Sequence, residues 1–99
     1  MEHSDEQQRL LALLEAQHSF PGPYMFKVIY RNVAGRSEAI VDAVCEQTGL
    51  PRPEGPIPER TSAGARFASV TFDLEVPQAA DVLAVYAVLA EIEGVISYF

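Results

Sequence analysis

The segment Arg66–Val76, RFASVTFDLEV, narrows the choice of fold more than any other part of this chain. Ala68, Val70, Phe72, Leu74 and Val76 alternate with Phe67, Ser69, Thr71, Asp73 and Glu75. A period of two belongs to a β-strand, whose successive side chains point to opposite faces. One set is wholly apolar and the other mostly polar. The strand is therefore half-buried, as in an antiparallel sheet covered on one side only.

The other elements follow from the same periodicities. Tyr24 to Arg31, YMFKVIYR, is β-branched and aromatic and reads as a second strand. Phe26, Val28 and Tyr30 are placed on its core side, with Met25, Lys27, Ile29 and Arg31 on the other. Residues 36–48 read as a helix whose buried stripe is Ile40, Val41, Val44 and Cys45, ended by Gly49. Residues 78–92 read as another, with Val82, Val85, Tyr86, Leu89 and Ile92 on one side and Gly94 at its end. Val95 to Phe99 makes a final strand. Between Leu50 and Pro58 lie four of the seven prolines, an extended loop that leads to a short edge strand over 57–62. Ala63-Gly64 marks the hairpin turn after it.

An N-terminal helix spans about 4–17, with Ser4 and Asp5 as candidate N-caps. Leu10, Leu11 and Leu14 share a face that Leu13 widens. The run Phe20-Pro21-Gly22-Pro23 must stop it. After this helix the order is β-α-β-β-α-β, the split-βαβ plan. The fold class is therefore α+β: a ferredoxin-like βαββαβ domain, a four-stranded antiparallel sheet with two helices on one face, plus an N-terminal helix. The division expected is a helical extension over 1–19 and the βαββαβ domain over 20–99.

Ninety-nine residues make one domain, able to bury roughly 60–70% of its unfolded surface in a single core. The net charge of −7 fits a soluble protein, or one with a basic partner. It disfavours nucleic acid, whose affinity comes largely from neutralised phosphates. Arg31, Arg36, Arg52, Arg60 and Arg66 are too scattered in sequence to mark a basic patch. A lone cysteine, Cys45, forms no internal disulfide. The acidic N-terminus does not read as a signal peptide, and no stretch approaches the ~20 apolar residues of a membrane span. A cytoplasmic location is the expectation, without membrane partners.

No catalytic site emerges. His3, His18 and Cys45 lack the spacing of a metal site, so no metal or cofactor is expected. Ser37, Ser62, Ser69 and Cys45 have neither a nucleophile-elbow context nor a nearby histidine. Asp73 with Glu75, and Glu91 with Glu93, read as solvated carboxylates. Asn32, Gly35 and Arg36 occupy a strand-to-helix loop whose amides suit an anion, so that loop is the candidate ligand site. Phe67-Ala68-Ser69-Val70-Thr71-Phe72 approaches the third-strand pattern of RNA-recognition motifs, but Ser69 stands where a stacking aromatic belongs.

Three groups of residues form a further pattern. The first is Phe20-Pro21-x-Pro23-x-x-Phe26-Lys27-Val28. The second is Ser62-x-Gly64 with Phe67 and Ser69-Val70-Thr71. The third is Val82-x-x-Val85-Tyr86-x-x-Leu89-x-x-Ile92-x-x-Val95. Together they resemble the YbeD-like family of bacterial proteins of unknown function. The resemblance spans about residues 10–99. It departs after Gly64, where Ala65 and Arg66 both intervene before the aromatic and the family has one residue. A β-bulge is the expected consequence. The family is similar in fold to ACT regulatory domains, which implies a regulatory or binding role by analogy alone.

Surface for binding is what remains. Met25, Ile29 and Phe67 are expected to form one apolar patch on the open sheet face, with Leu10 and Leu14 of the N-terminal helix either covering it or adding to it. The reading is a non-enzymatic interaction or regulatory module, a monomer or weak homodimer. It would bind a protein partner through the open sheet face or a strand edge. The alternatives are an ACT-like sensor of a small metabolite and an RNA-recognition-like binder.

Overall fold

The structure is a computed structural model that describes residues 2–99, with side chains from residue 5 onward. Its elements are α1 (Glu2–Gln17), β1 (Gly22–Arg31), α2 (Arg36–Thr48), β2 (Glu59–Thr61), β3 (Phe67–Val76), α3 (Ala79–Glu91) and β4 (Val95–Tyr98). The strands form one antiparallel sheet in the order β2-β3-β1-β4. This is the ferredoxin-like arrangement expected from the sequence, with an added N-terminal helix.

The two long strands pair in unbroken register from Gly22 opposite Val76 to Arg31 opposite Phe67. That register puts the apolar sets on the same face. Phe26, Val28 and Tyr30 are buried with Val70, Phe72, Leu74 and Val76. Ile40, Val41 and Val44 from α2 and Val82, Val85 and Leu89 from α3 close over them, all fully buried. The two helices pack side by side on this face. At about 1.5–3 kcal/mol for each large side chain, this apolar layer is the main source of stability.

Tyr30 is fully buried and has a polar end to satisfy. It lies opposite Ala68, whose small side chain lets the phenol pass over β3 toward β2. There its hydroxyl donates to the Glu59 carboxylate. Burial, followed by the Glu59 hydrogen bond and charge, pushes the Tyr30 pKa up to about 12. Tyr86 is also pushed up, by burial first and then by its bond with Tyr24.

Three details differ from the sequence reading. β2 is only three residues long because Pro56 and Pro58 bring no N–H to the ladder. The extra residue after Gly64 makes no bulge. It is absorbed in the turn, where Ala65 takes a left-handed conformation (φ 56°) and Ser62 N–H reaches Phe67 O at 2.8 Å. The pairing of β2 with β3 is regular from Thr61 opposite Ala68 onward. The register shift lies instead between β1 and β4, between Ile29 and Tyr30.

α1 packs against α3, on the helix side of the sheet. Leu14 seats against the core together with Phe20 and Tyr24, and the His18 ring lies 4.7 Å from that of Tyr24, tilted by 54°. The leucine face of α1 thus does not lie across the open sheet face. Leu10 points largely to solvent, 44% exposed.

Two outcomes follow for stability. Leu14→Ala should destabilise by about 1–2 kcal/mol in chemical denaturation, whereas Leu10→Ala should stay within about 0.5 kcal/mol. The second concerns pH. Tyr30 and Tyr86 are both harder to ionise folded than unfolded, so their contribution is fully present below the unfolded tyrosine value of about 10. It is lost as pH rises toward the folded values. The denaturation midpoint should therefore fall above about pH 10, and Tyr30→Phe should make that fall shallower. At neutral pH, Tyr30→Phe should cost about 1 kcal/mol for the lost hydrogen bond.

Candidate functional site

The face opposite the helices is built from the outward set of each long strand. β1 contributes Met25, Lys27, Ile29 and Arg31; β3 contributes Phe67, Ser69, Thr71, Asp73 and Glu75. Arg60 of β2 stands opposite Ser69, and Ser97 of β4 opposite Ile29. Phe99 joins this face beside Lys27, with which it exchanges both backbone hydrogen bonds (3.1 and 2.8 Å).

Ile29 and Phe67 line a shared recess of about 210 Å³ with Lys27, Arg60 and Ser69. Met25 does not join them. It lies four residues along β1 with Lys27 in between, and it faces Asp73. The single patch expected from Met25, Ile29 and Phe67 is therefore two apolar spots separated by a cation. Leu10 and Leu14 sit on α1, on the other side of the sheet, and add nothing to it. Phe99, 60% exposed, was not among the expected residues. Its place depends on the β1–β4 register, which no local pattern signals.

The fold gathers what the sequence scatters. Lys27, Arg31 and Arg60 share this face, although their positions along the chain gave no sign of a patch. A second recess of about 240 Å³ lies between Lys27, Arg60, Ser69 and Thr71. At the far end of the same face stand Asp73 and Glu75, so the surface is polarised along the strands.

The candidate ligand loop is differently disposed. Arg36 Nη1 donates to Arg31 O at 3.1 Å, and its guanidinium lies over Gly94. Asn32 Nδ2 donates to Ala65 O at 3.0 Å. Gly35 supplies the left-handed turn (φ 79°) that opens α2. The polar side chains of the loop are engaged in joining β1 to the β3 hairpin and to the approach of β4.

The soft ligands remain apart. His18 ends α1 against Tyr24, while Cys45 sits half-buried on α2 with its thiol pKa raised by burial. The side chain of His3 lies outside the described residues. Among the described residues, no three of His, Cys, Asp and Glu gather as a metal site would require, and no helix is long and apolar enough to cross a membrane.

Gly94 offers a check on the loop geometry. Its φ of 90° disfavours any side chain, and a Cβ there would strike the Arg36 guanidinium. Gly94→Ala should cost about 1–3 kcal/mol in denaturant unfolding. The Arg36→Ala/Gly94→Ala pair should cost less than the sum of the two, because removing the guanidinium relieves the clash.

Comparison with known proteins adds the family. No curated protein matches the chain significantly. The sequence model of the family described as "Protein of unknown function (DUF493)" matches residues 15–99, covering the sheet, α2, α3 and the end of α1. YbeD is a member of that family, in keeping with the resemblance carried by the proline-rich opening of β1, the β2–β3 hairpin and α3. The chain therefore belongs to the DUF493 family of proteins of unknown function.

Proposed function

We infer that this chain is a non-enzymatic interaction module that binds a protein partner through the sheet face its helices leave bare. The observation that carries this reading is the position of α1. It packs on α3, and Met25 and Phe67 remain 63% and 37% exposed on the opposite face. Ile29 and Phe67 line one recess on that face together with Lys27 and Arg60, an apolar spot beside cations of the kind that a partner surface covers. The partner surface that fits is apolar, to meet Ile29, Phe67 and Phe99, with carboxylates to meet Lys27, Arg31 and Arg60.

A second reading, an RNA-recognition-like binder, draws on the same cations and on Phe67. It is weakened by Ser69, which stands where a second stacking ring would be needed, and by the net charge of −7. The metabolite-sensor reading has less support, since Asn32 and Arg36 are already hydrogen-bonded within the loop.

The test is affinity capture of the full chain from its native cell, followed by rebinding of each captured protein in purified form. Phe67→Asp should weaken the purified complex about tenfold or more while leaving the thermal midpoint nearly unchanged. Leu10→Asp, on the far side, should bind as the parent does. A metabolite that raises the midpoint in the parent but not in Arg36→Ala, with no Phe67-dependent protein partner, would replace this reading with the sensor. Tight, salt-sensitive RNA binding lost in Phe67→Asp would replace it with the RNA binder.

A further inference from the structure

β3 is ten residues long, but β2 covers it only at Ala68, Ser69 and Val70. Pro58 O then takes the N–H of Thr71 at 3.2 Å, and the cover ends. The bonds of Ser62 to Phe67 O and of Thr71 to Pro58 O show which way the strand's groups point. Alternate residues 67, 69 and 71 direct their N–H and C=O away from β1, and the same alternation turns those of Asp73 and Glu75 outward. They form a stretch of open sheet edge beyond the end of β2.

The chain cannot cover this edge with its own continuation. Pro51, Pro53, Pro56 and Pro58 bring no N–H to pair with it. The loop is also held off at both ends. Leu50 is buried in the core, Arg52 pairs with Glu38 and Asp42 on α2, and Pro58 is fixed on Thr71. Between these points it arches and leaves a recess of about 530 Å³ between Pro53, Pro56 and Ile57 on one side and Asp73 and Glu75 on the other. That size is within the range of binding sites.

We propose that the open edge of β3 around Asp73–Glu75 takes up an extended, basic segment of another protein, which adds as a fifth strand beneath the proline arch. Main-chain bonds to Asp73 and Glu75 supply the attachment. Charge selects the occupant. The carboxylates of Asp73 and Glu75 stand two residues apart on one side of the edge, and Glu54 lies on the arch; Arg52 also lines the recess, but its charge is met by Glu38 and Asp42. Among the described residues the ion pairs involve Arg52 with Glu38 and Asp42, so these three carboxylates stand without one. Lysine or arginine at alternate positions of an added strand comes directly opposite Asp73 and Glu75. The residue between them faces the core side, where Ile57 lines the recess. A second copy of this chain is a poor occupant. Antiparallel pairing of two β3 edges about Leu74 sets Asp73 opposite Glu75 twice, and like charges directly opposite are destabilising. The net charge of −7 steers a basic segment toward the protein.

This site is separate from the apolar and basic end of the open face, so either can fail without the other. The probe is a capped, fluorescein-labelled peptide, Lys-Val-Lys-Val-Lys, titrated with the full chain at low salt and followed by anisotropy. Its controls are Glu-Val-Glu-Val-Glu and the lysine peptide N-methylated at alternate amides. The lysine peptide should bind, and both controls should not. Asp73→Lys with Glu75→Lys should weaken binding about tenfold or more, and Phe67→Asp should leave it unchanged. Amide hydrogen exchange gives a readout that does not depend on a variant's folding: the Asp73 and Glu75 amides should exchange freely alone and become protected with the peptide. Equal binding of the N-methylated peptide, protection elsewhere than at β3, no lysine-peptide binding at millimolar concentration, or self-association through β3 would each overturn the proposal.

Discussion

The register of β1 against β3 underlies nearly everything else in this molecule. Because Phe26 meets Phe72 and Val28 meets Val70, two apolar rows fall on one face, and α2 and α3 have a continuous surface to close over. A slip of one residue would turn both rows toward solvent. The same register fixes the other face without further instruction: Lys27, Ile29 and Arg31 must stand beside Thr71, Ser69 and Phe67. Core and candidate interface are thus two sides of one pairing.

The polar groups divide along similar lines. Tyr30 is satisfied by Glu59, Arg36 by Arg31 O, Asn32 by Ala65 O, and Arg52 by two carboxylates of α2. Each joins elements far apart in sequence or closes a loop, and each is engaged within the fold. The groups left facing outward are of other kinds: the cations and aromatics of the bare face, and the backbone edge of β3 under the proline arch. Both arise where the helices or the prolines leave the sheet uncovered.

The strands and helices were legible because their periodicities are local. Alternation in RFASVTFDLEV, the Ile40–Val41–Val44 stripe and the run of Val82, Val85 and Leu89 each report a buried face directly. The length of β2 is not legible in the same way, because edge strands tolerate prolines in principle and only the geometry shows where the ladder stops. The expected bulge after Gly64 became a turn because Ala65 accepts a left-handed backbone. The candidate site was less legible. Alternation puts Ile29 and Phe67 on the outward face, but it does not show that Lys27 separates Met25 from them or that Phe99 pairs beside Lys27.

By itself, then, the sequence determined which residues are buried, the order of the elements and the family to which they belong, since each rests on nearest-neighbour pattern or residue spacing within short segments. Tertiary structure alone decided three matters. α1 lies on α3 and leaves the sheet bare, because Leu14, Phe20 and Tyr24 find the core edge there. Lys27 and Arg60 come to line the same recesses across three strands. The proline loop stands away from β3, because its ends are anchored on α2 and Thr71. These outcomes depend on contacts between residues distant in sequence, and no local period encodes them.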